Sequence, residues 1–167
     1  DVLVVDSLSK SHAMTGSRLG WMLGPEAAIA HATDLATATT YGVPGFIQDA
    51  GETALREGQA IEAGIVARYR HRRDLAMEAL RDAGPLRALR PAAGMYVMLD
   101  IRETGMDGET FAHRLLEEER IAVMPGESFG RATAGHLRVA LTRSDDVLTD
   151  ALGRIARFAA RLRATAV

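Results

Sequence analysis

Val2-Leu3-Val4-Val5-Asp6-Ser7-Leu8-Ser9-Lys10, and after it Gly16-Ser17-Arg18-Leu19-Gly20-Trp21, is the stretch whose reading decides the fold. The opening apolar, largely β-branched run reads as a strand buried on both faces, as in a parallel sheet. Such a strand at the head of a chain whose first residue is Asp1, not Met, calls for neighbours, so the expectation is a piece of a longer protein. Asp6 to Gly20 is rich in Ser, Gly and Thr and reads as a functional loop, followed by a second strand at Trp21-Met22-Leu23 that Gly24-Pro25 closes. A lysine just past a buried strand is held in place and partly shielded from water. Burial or neighbouring positive charge lowers its pKa from the free value of about 10.4, and the neutral amine adds to carbonyls. Ser7 and Ser9 offer hydroxyls to phosphate oxygens, Arg18 offers two parallel donors, and the glycines let backbone approach a bulky ligand. The stretch suits a phosphorylated aldehyde.

Downstream, Pro25 starts a helix running to about Thr37, with Glu26 at the positive end of its dipole. Residues 39–45 form a turn-rich connection, and a further helix covers about Phe46 to Arg56. From Gln59 to about Ala83 the residues Ile61, Ile65, Tyr69, Ala76 and Leu80 recur at helical spacing, which makes a long amphipathic helix ended by Gly84-Pro85. A strand over Met95–Ile101, a helix over Gly108–Glu118 and a short strand over Ile121–Met124 come next. A turn-rich loop, a strand over His136–Thr142 and a closing helix from about Ser144 complete the chain. This order predicts an α/β protein with a domain boundary near Glu57 to Gln59: residues 1–57 end one α/β domain, and 58–167 form a long linking helix with a small α+β domain.

The formal charge of −2 provides no basic excess for nucleic acid, and no apolar run approaches the ~20 residues of a membrane span. With no cysteine, disulfides and thiolate metal sites are excluded and a reducing cytoplasm is permitted. The five histidines show no paired ligand spacing, so no metal is assigned. Arg68 to Arg73 reads as a solvated helix face rather than a nucleic-acid patch, and Glu117-Glu118-Glu119 as the wet end of a helix.

Three further landmarks follow the lysine in order: Pro91-Ala92-Ala93-Gly94-Met95-Tyr96, then Pro125-Gly126-Glu127-Ser128-Phe129-Gly130, then His136-Leu137-Arg138-Val139-Ala140. Alternation places Arg138 on the face opposite Leu137 and Val139. With Ser-x-Ser-Lys and Gly-x-Arg-x-Gly, this series resembles the class I/II aminotransferases of fold type I, over nearly the whole chain. The resemblance implies a cytoplasmic enzyme of amino-acid metabolism with the C-terminal part of that fold. Lys10 would carry pyridoxal 5'-phosphate as a Schiff base and shuttle a proton at the substrate α-carbon, while Ser7, Ser9 and Arg18 hold the phosphate. Arg138 would bind the α-carboxylate of amino-acid and 2-oxo-acid substrates, a task that suits a planar guanidinium, with Tyr96 near the substrate. It also implies a homodimer with shared sites, which Tyr41 would approach; a plain turn tyrosine is an equal reading there. Residues 7–15, 41–50 and 94–101 resemble the bacterial arginine–pyruvate branch, although Ser17 stands where such enzymes often carry Trp.

A lyase, decarboxylase or racemase would share Lys10 and Arg138, and a sensor domain of a transcription regulator or a truncated interaction module would keep the same scaffold. The aspartate that pairs with the cofactor's ring nitrogen, the aromatic that stacks on the ring and the glycine-rich phosphate loop fall upstream in this family. Purified residues 1–167 with added pyridoxal phosphate are therefore expected to show no transfer from arginine to pyruvate. Alanine formation above a protein-free control would refute this.

Overall fold

The computed structural model describes residues 2–165; Asp1, Ala166 and Val167, the ends of the two expected domains, lie outside the described residues. The chain divides into two compact units, Asp1–Ala67 and Arg68–Val167.

In the first unit β1 (Val4–Ser7) and β2 (Gly20–Leu23) pair antiparallel, Val4 opposite Leu23 and Ser7 opposite Gly20. Between them lie α1 (Leu8–Ser11) and a 3-10 turn at Thr15–Ser17. Then come α2 (Glu26–Thr39), α3 (Gly45–Glu57) and α4 (Gln59–Ala79), which runs past Ala67 into the second unit. Pro25 and Pro44 each precede the first helical residue, and their fixed φ delivers the chain into α2 and α3. Leu8 is buried against Leu19 and Gly51 of α3, where a Cβ would stand 2.1 Å from Leu19 Cδ2. The expectation of a strand buried in a parallel sheet is corrected here. β1 pairs antiparallel, and Val2, Leu3, Val4 and Val5 are exposed, because within this unit the run finds one sheet partner and no cover for its faces. The expected loop also holds helical turns, closed by local bonds such as His12 N to Leu8 O at 3.2 Å.

The second unit is built on a four-stranded antiparallel sheet in the order β3 (Arg87–Leu89), β4 (Tyr96–Asp100), β6 (His136–Ala140), β5 (Met124–Pro125). Alternation sends Val97 and Leu99 of β4, and Leu137 and Val139 of β6, into one core with α5 (Gly108–Glu119) and α6 (Asp145–Thr165). Phe111 of α5 meets Phe158 of α6 edge-to-face at 5.0 Å, both fully buried. Asp107 caps α5 by accepting from Thr110 N at 2.7 Å.

Several boundaries move. α4 stops at Ala79 rather than near Ala83, because Leu80, Ala83 and Leu86 turn in to join the core. The short β3 was not expected: three residues beginning with an arginine carry no alternation signal, and only pairing with β4 makes them a strand. The strand expected at Ile121–Met124 slides to Met124–Pro125, while Ile121 and Val123 pack against the core.

The charged segments expected at the solvated surface are in part structural. Arg72, with its side chain 15% exposed, donates to Asp145 and to Leu141 O, so α4 is tied to the start of α6. Glu119 pairs with Arg161 and Arg154 of α6, and these cations hold its carboxyl below the usual carboxylate range. Asp100, buried at the end of β4, accepts from Arg102 and from Arg87 across the sheet. The Arg102 guanidinium first, and Arg87 with it, holds this carboxyl far below its ordinary value. A pKa depressed by folding contributes stability above the unfolded value of about 3.9 and loses it as pH falls toward the folded value. Asp100→Asn is expected to cost about 1–3 kcal/mol at pH 7, a gap that narrows below about pH 4 when urea unfolding is repeated there. A gap unchanged at low pH would mean that the stabilisation does not come from this carboxylate.

Candidate active site

The first unit gathers Ser7, Ser9, Lys10 and Arg18 around one closed loop. The β1–β2 hairpin fixes its base, with Ser7 opposite Gly20 and Leu8 N donating to Leu19 O at 3.3 Å. That base requires glycine: a Cβ at position 20 would lie 2.7 Å from Asp6 O. Ser7 is the N-cap of α1, and Ser9 and Lys10 lie within it. Thr15 ties the loop across itself, its hydroxyl donating to Ser9 O at 2.8 Å while its own carbonyl accepts from Arg18 Nη1 at 3.0 Å. Arg18 sits at φ 53°, in the left-handed region, and Ala13 at φ 54°. Such values cost roughly 1 kcal/mol or more per residue away from glycine and persist where surrounding bonds impose them.

Lys10 is exposed in the last turn of α1, not shielded behind a buried strand, because the strand before it is itself open to water. Among the described residues no hydrogen bond engages the hydroxyls of Ser7 or Ser9, and neither a hydrogen bond nor an ion pair engages the Lys10 ammonium. Arg18 spends one donor on Thr15. The open donors of this loop are thus two hydroxyls, an amine and most of a guanidinium, a set that fits an aldehyde carrying a phosphate dianion.

The second unit gathers Tyr96 and Arg138. Arg138 pairs across β4–β6 with Met98, and Tyr96 lies two residues along β4 on that same face, away from the buried Val97, Leu99, Leu137 and Val139. The guanidinium carbon of Arg138 is 4.2 Å from the centroid of the Tyr96 ring and 4.1 Å from that of Phe129. Each contact contributes about 0.5–2 kcal/mol, and together they hold the plane of a side chain that otherwise carries ~2 kcal/mol of rotamer entropy. Arg138 is half-buried, its Nε is buried without a partner, and among the described residues no carboxylate or carbonyl engages its guanidinium. A desolvated cation so left calls for an anion from outside the chain.

Two residues that touch the candidate groups, Thr15 and Phe129, are not singled out by the sequence. Thr15 lies inside the phosphate-type motif at a position that its own chemistry does not mark. Phe129 belongs to the quoted Pro125–Gly130 loop, yet no spacing links position 129 to position 138; the sheet alone brings them together. Among the described residues there is no cluster of three or more His, Asp or Glu able to hold a metal, and no helix is long and apolar enough to cross a membrane.

The profile of the family described as aminotransferase class I and II matches residues 1–155. The chain is 49% identical over 158 residues to arginine–pyruvate transaminase of Pseudomonas aeruginosa, covering 95% of this chain and 40% of that protein. It is 34% identical over 157 residues to an aspartate aminotransferase of Pyrococcus horikoshii, covering 93% and 40%. Among solved structures it is similar to an aromatic aminotransferase from Pyrococcus horikoshii, with a TM-score of 0.90 and 30% identity over 95% of this chain and 43% of that one. It also matches aspartate aminotransferase from Thermus thermophilus with maleate, with a TM-score of 0.85 and 35% identity over 93% and 40%. The chain spans about 40% of the length of the curated relatives it matches. The resemblance over nearly the whole chain and the expected α/β fold both hold, and the chain belongs to the pyridoxal-phosphate-dependent class I and II aminotransferases.

Proposed function

We propose that this chain serves, within a longer protein, the transfer of an amino group from an α-amino acid to a 2-oxo acid, with arginine as donor and pyruvate as acceptor. The observation that carries this reading is Arg138, a half-buried cation held against Tyr96 and Phe129 with no acceptor among the described residues. A guanidinium held flat matches both oxygens of an α-carboxylate, the group that amino donor and oxo acceptor share. The donor and acceptor identities rest on the 49% identity to arginine–pyruvate transaminase. The full-length protein is read as a homodimer, as is typical of the family.

The cofactor's place is the loop of the first unit. Ser7, Ser9 and Arg18 would hold its phosphate through the donors left open there, and Lys10 Nζ would meet its aldehyde. Bound pyridoxal phosphate supplies a carbonyl and an electron-accepting ring that stabilises negative charge at the substrate α-carbon. Lys10 as a free amine would carry the proton from that α-carbon to the cofactor's C4′ in one half of the exchange and back again in the other. Thr15 and the Ser7–Gly20 pairing orient the loop, so that these groups need little rearrangement on binding.

The test is made with the full-length protein loaded with pyridoxal phosphate, following alanine formed from arginine and pyruvate. Lys10→Ala is expected to lose the visible colour of the loaded protein and about 10²–10⁴-fold or more in kcat. Arg138→Lys is expected to raise KM for both substrates by roughly tenfold or more. Release of pyruvate or ammonia from a lone amino acid, without an acceptor, would overturn transamination in favour of a lyase.

A further inference from the structure

Phe129 is 46% exposed, so burial does not hold its ring against Arg138; the backbone that carries it must do so. That backbone is fastened by a neighbouring side chain. Glu127 lies in the same 3-10 turn, Gly126–Phe129. Its Oε1 accepts from Gly108 N at 3.1 Å, the first residue of α5, and from Gly135 N at 2.9 Å, just ahead of β6. One oxygen therefore joins the start of the loop to a helix end and to the loop's own return. The N-cap Asp107 side chain is engaged with Thr110, which leaves Gly108 N for this contact.

There is no slack around the fastening. A Cβ at Gly108 would stand 2.2 Å from Glu127 Oε2, and one at Gly126 would stand 1.9 Å from Thr133 O. Thr133 Oγ1 lies within hydrogen-bond reach of Gly126 O at 2.6 Å and Gly130 O at 2.9 Å, closing the far side of the loop. The Gly135 N–H above all, with that of Gly108, holds the Glu127 carboxyl below its usual range despite burial and the nearby Asp107 charge. Oε2 is buried with no partner among the described residues, so the carboxylate faces backbone and not solvent.

We propose that Glu127 is a positioning residue for Arg138, fastening the loop so that Phe129 stays on the guanidinium. This rests on the reading of Arg138 as the anchor of the substrate carboxylate. That carboxylate persists through the reaction, so loosening its anchor weakens ground state and transition state alike. KM rises while kcat stays.

The full-length holoenzyme with Glu127→Ala is expected to show KM raised about tenfold for both the amino acid and the 2-oxo acid, with kcat within about twofold. Glu127→Gln keeps an acceptor oxygen for both N–H groups and is expected to stay within about twofold of the parent in KM. In a Phe129→Ala background, Glu127→Ala should add nothing further, since both act through the same ring. Independently of turnover, the Arg138 Nε–H resonance in 15N-arginine-labelled protein, assigned by its loss in Arg138→Lys, should be displaced by the two rings. It should move toward an ordinary arginine position in Glu127→Ala but not in Glu127→Gln. Should Glu127→Ala fail to fold, Glu127→Asp, whose shorter carboxylate cannot span both donors, is read in the same way. An unchanged KM together with an unchanged Nε–H resonance would overturn the proposal. A parent without transaminase turnover whose Nε–H still moves in the variant would sink the activity reading and leave the fastening in place.

Discussion

The antiparallel register of β4 against β6, with Met98 opposite Arg138, is the constraint on which the second unit depends. Because successive side chains alternate across a strand, that single register puts Val97, Leu99, Leu137 and Val139 into the core. It puts Tyr96, Met98 and Arg138 on the other face. A slip of β6 by one residue would bury the guanidinium and expose Leu137 and Val139. The core and the face that carries Arg138 are thus one decision, enforced by apolar burial against α5 and α6.

The charges of the second unit sort themselves by whether the chain supplies their partner. Asp100 meets Arg102 and Arg87, Asp145 meets Arg72, and Glu119 meets Arg161 and Arg154. Apart from Asp100 with Arg102, two residues on, these pairs join different elements of the unit. Arg138 differs in kind: two aromatic rings replace the carboxylate, so its plane is oriented while its donors stay open. An arginine satisfied by its own chain would stabilise the fold and bind nothing. The first unit follows the same economy on a smaller scale, where Thr15 engages one arm of Arg18 and leaves the serine hydroxyls and the Lys10 amine open.

The sequence by itself determined the family, the order of the longer helices and of the strands other than β3, and the identity of Lys10, Ser7, Ser9, Arg18, Tyr96 and Arg138 as candidates. Those are local matters of residue type, spacing and period. It also determined that Arg138 and Leu137 face opposite ways, since strand alternation needs no partner to be read. The tertiary structure alone decided the antiparallel pairing of β1, the existence of β3 and the ties of Arg72 and Glu119. It alone seated Phe129 on Arg138 and carried Glu127 to Gly108 and Gly135. Each of these joins groups whose separation along the chain bears no relation to their separation in space. The fold sets such contacts through which surfaces are buried, and no local pattern encodes them.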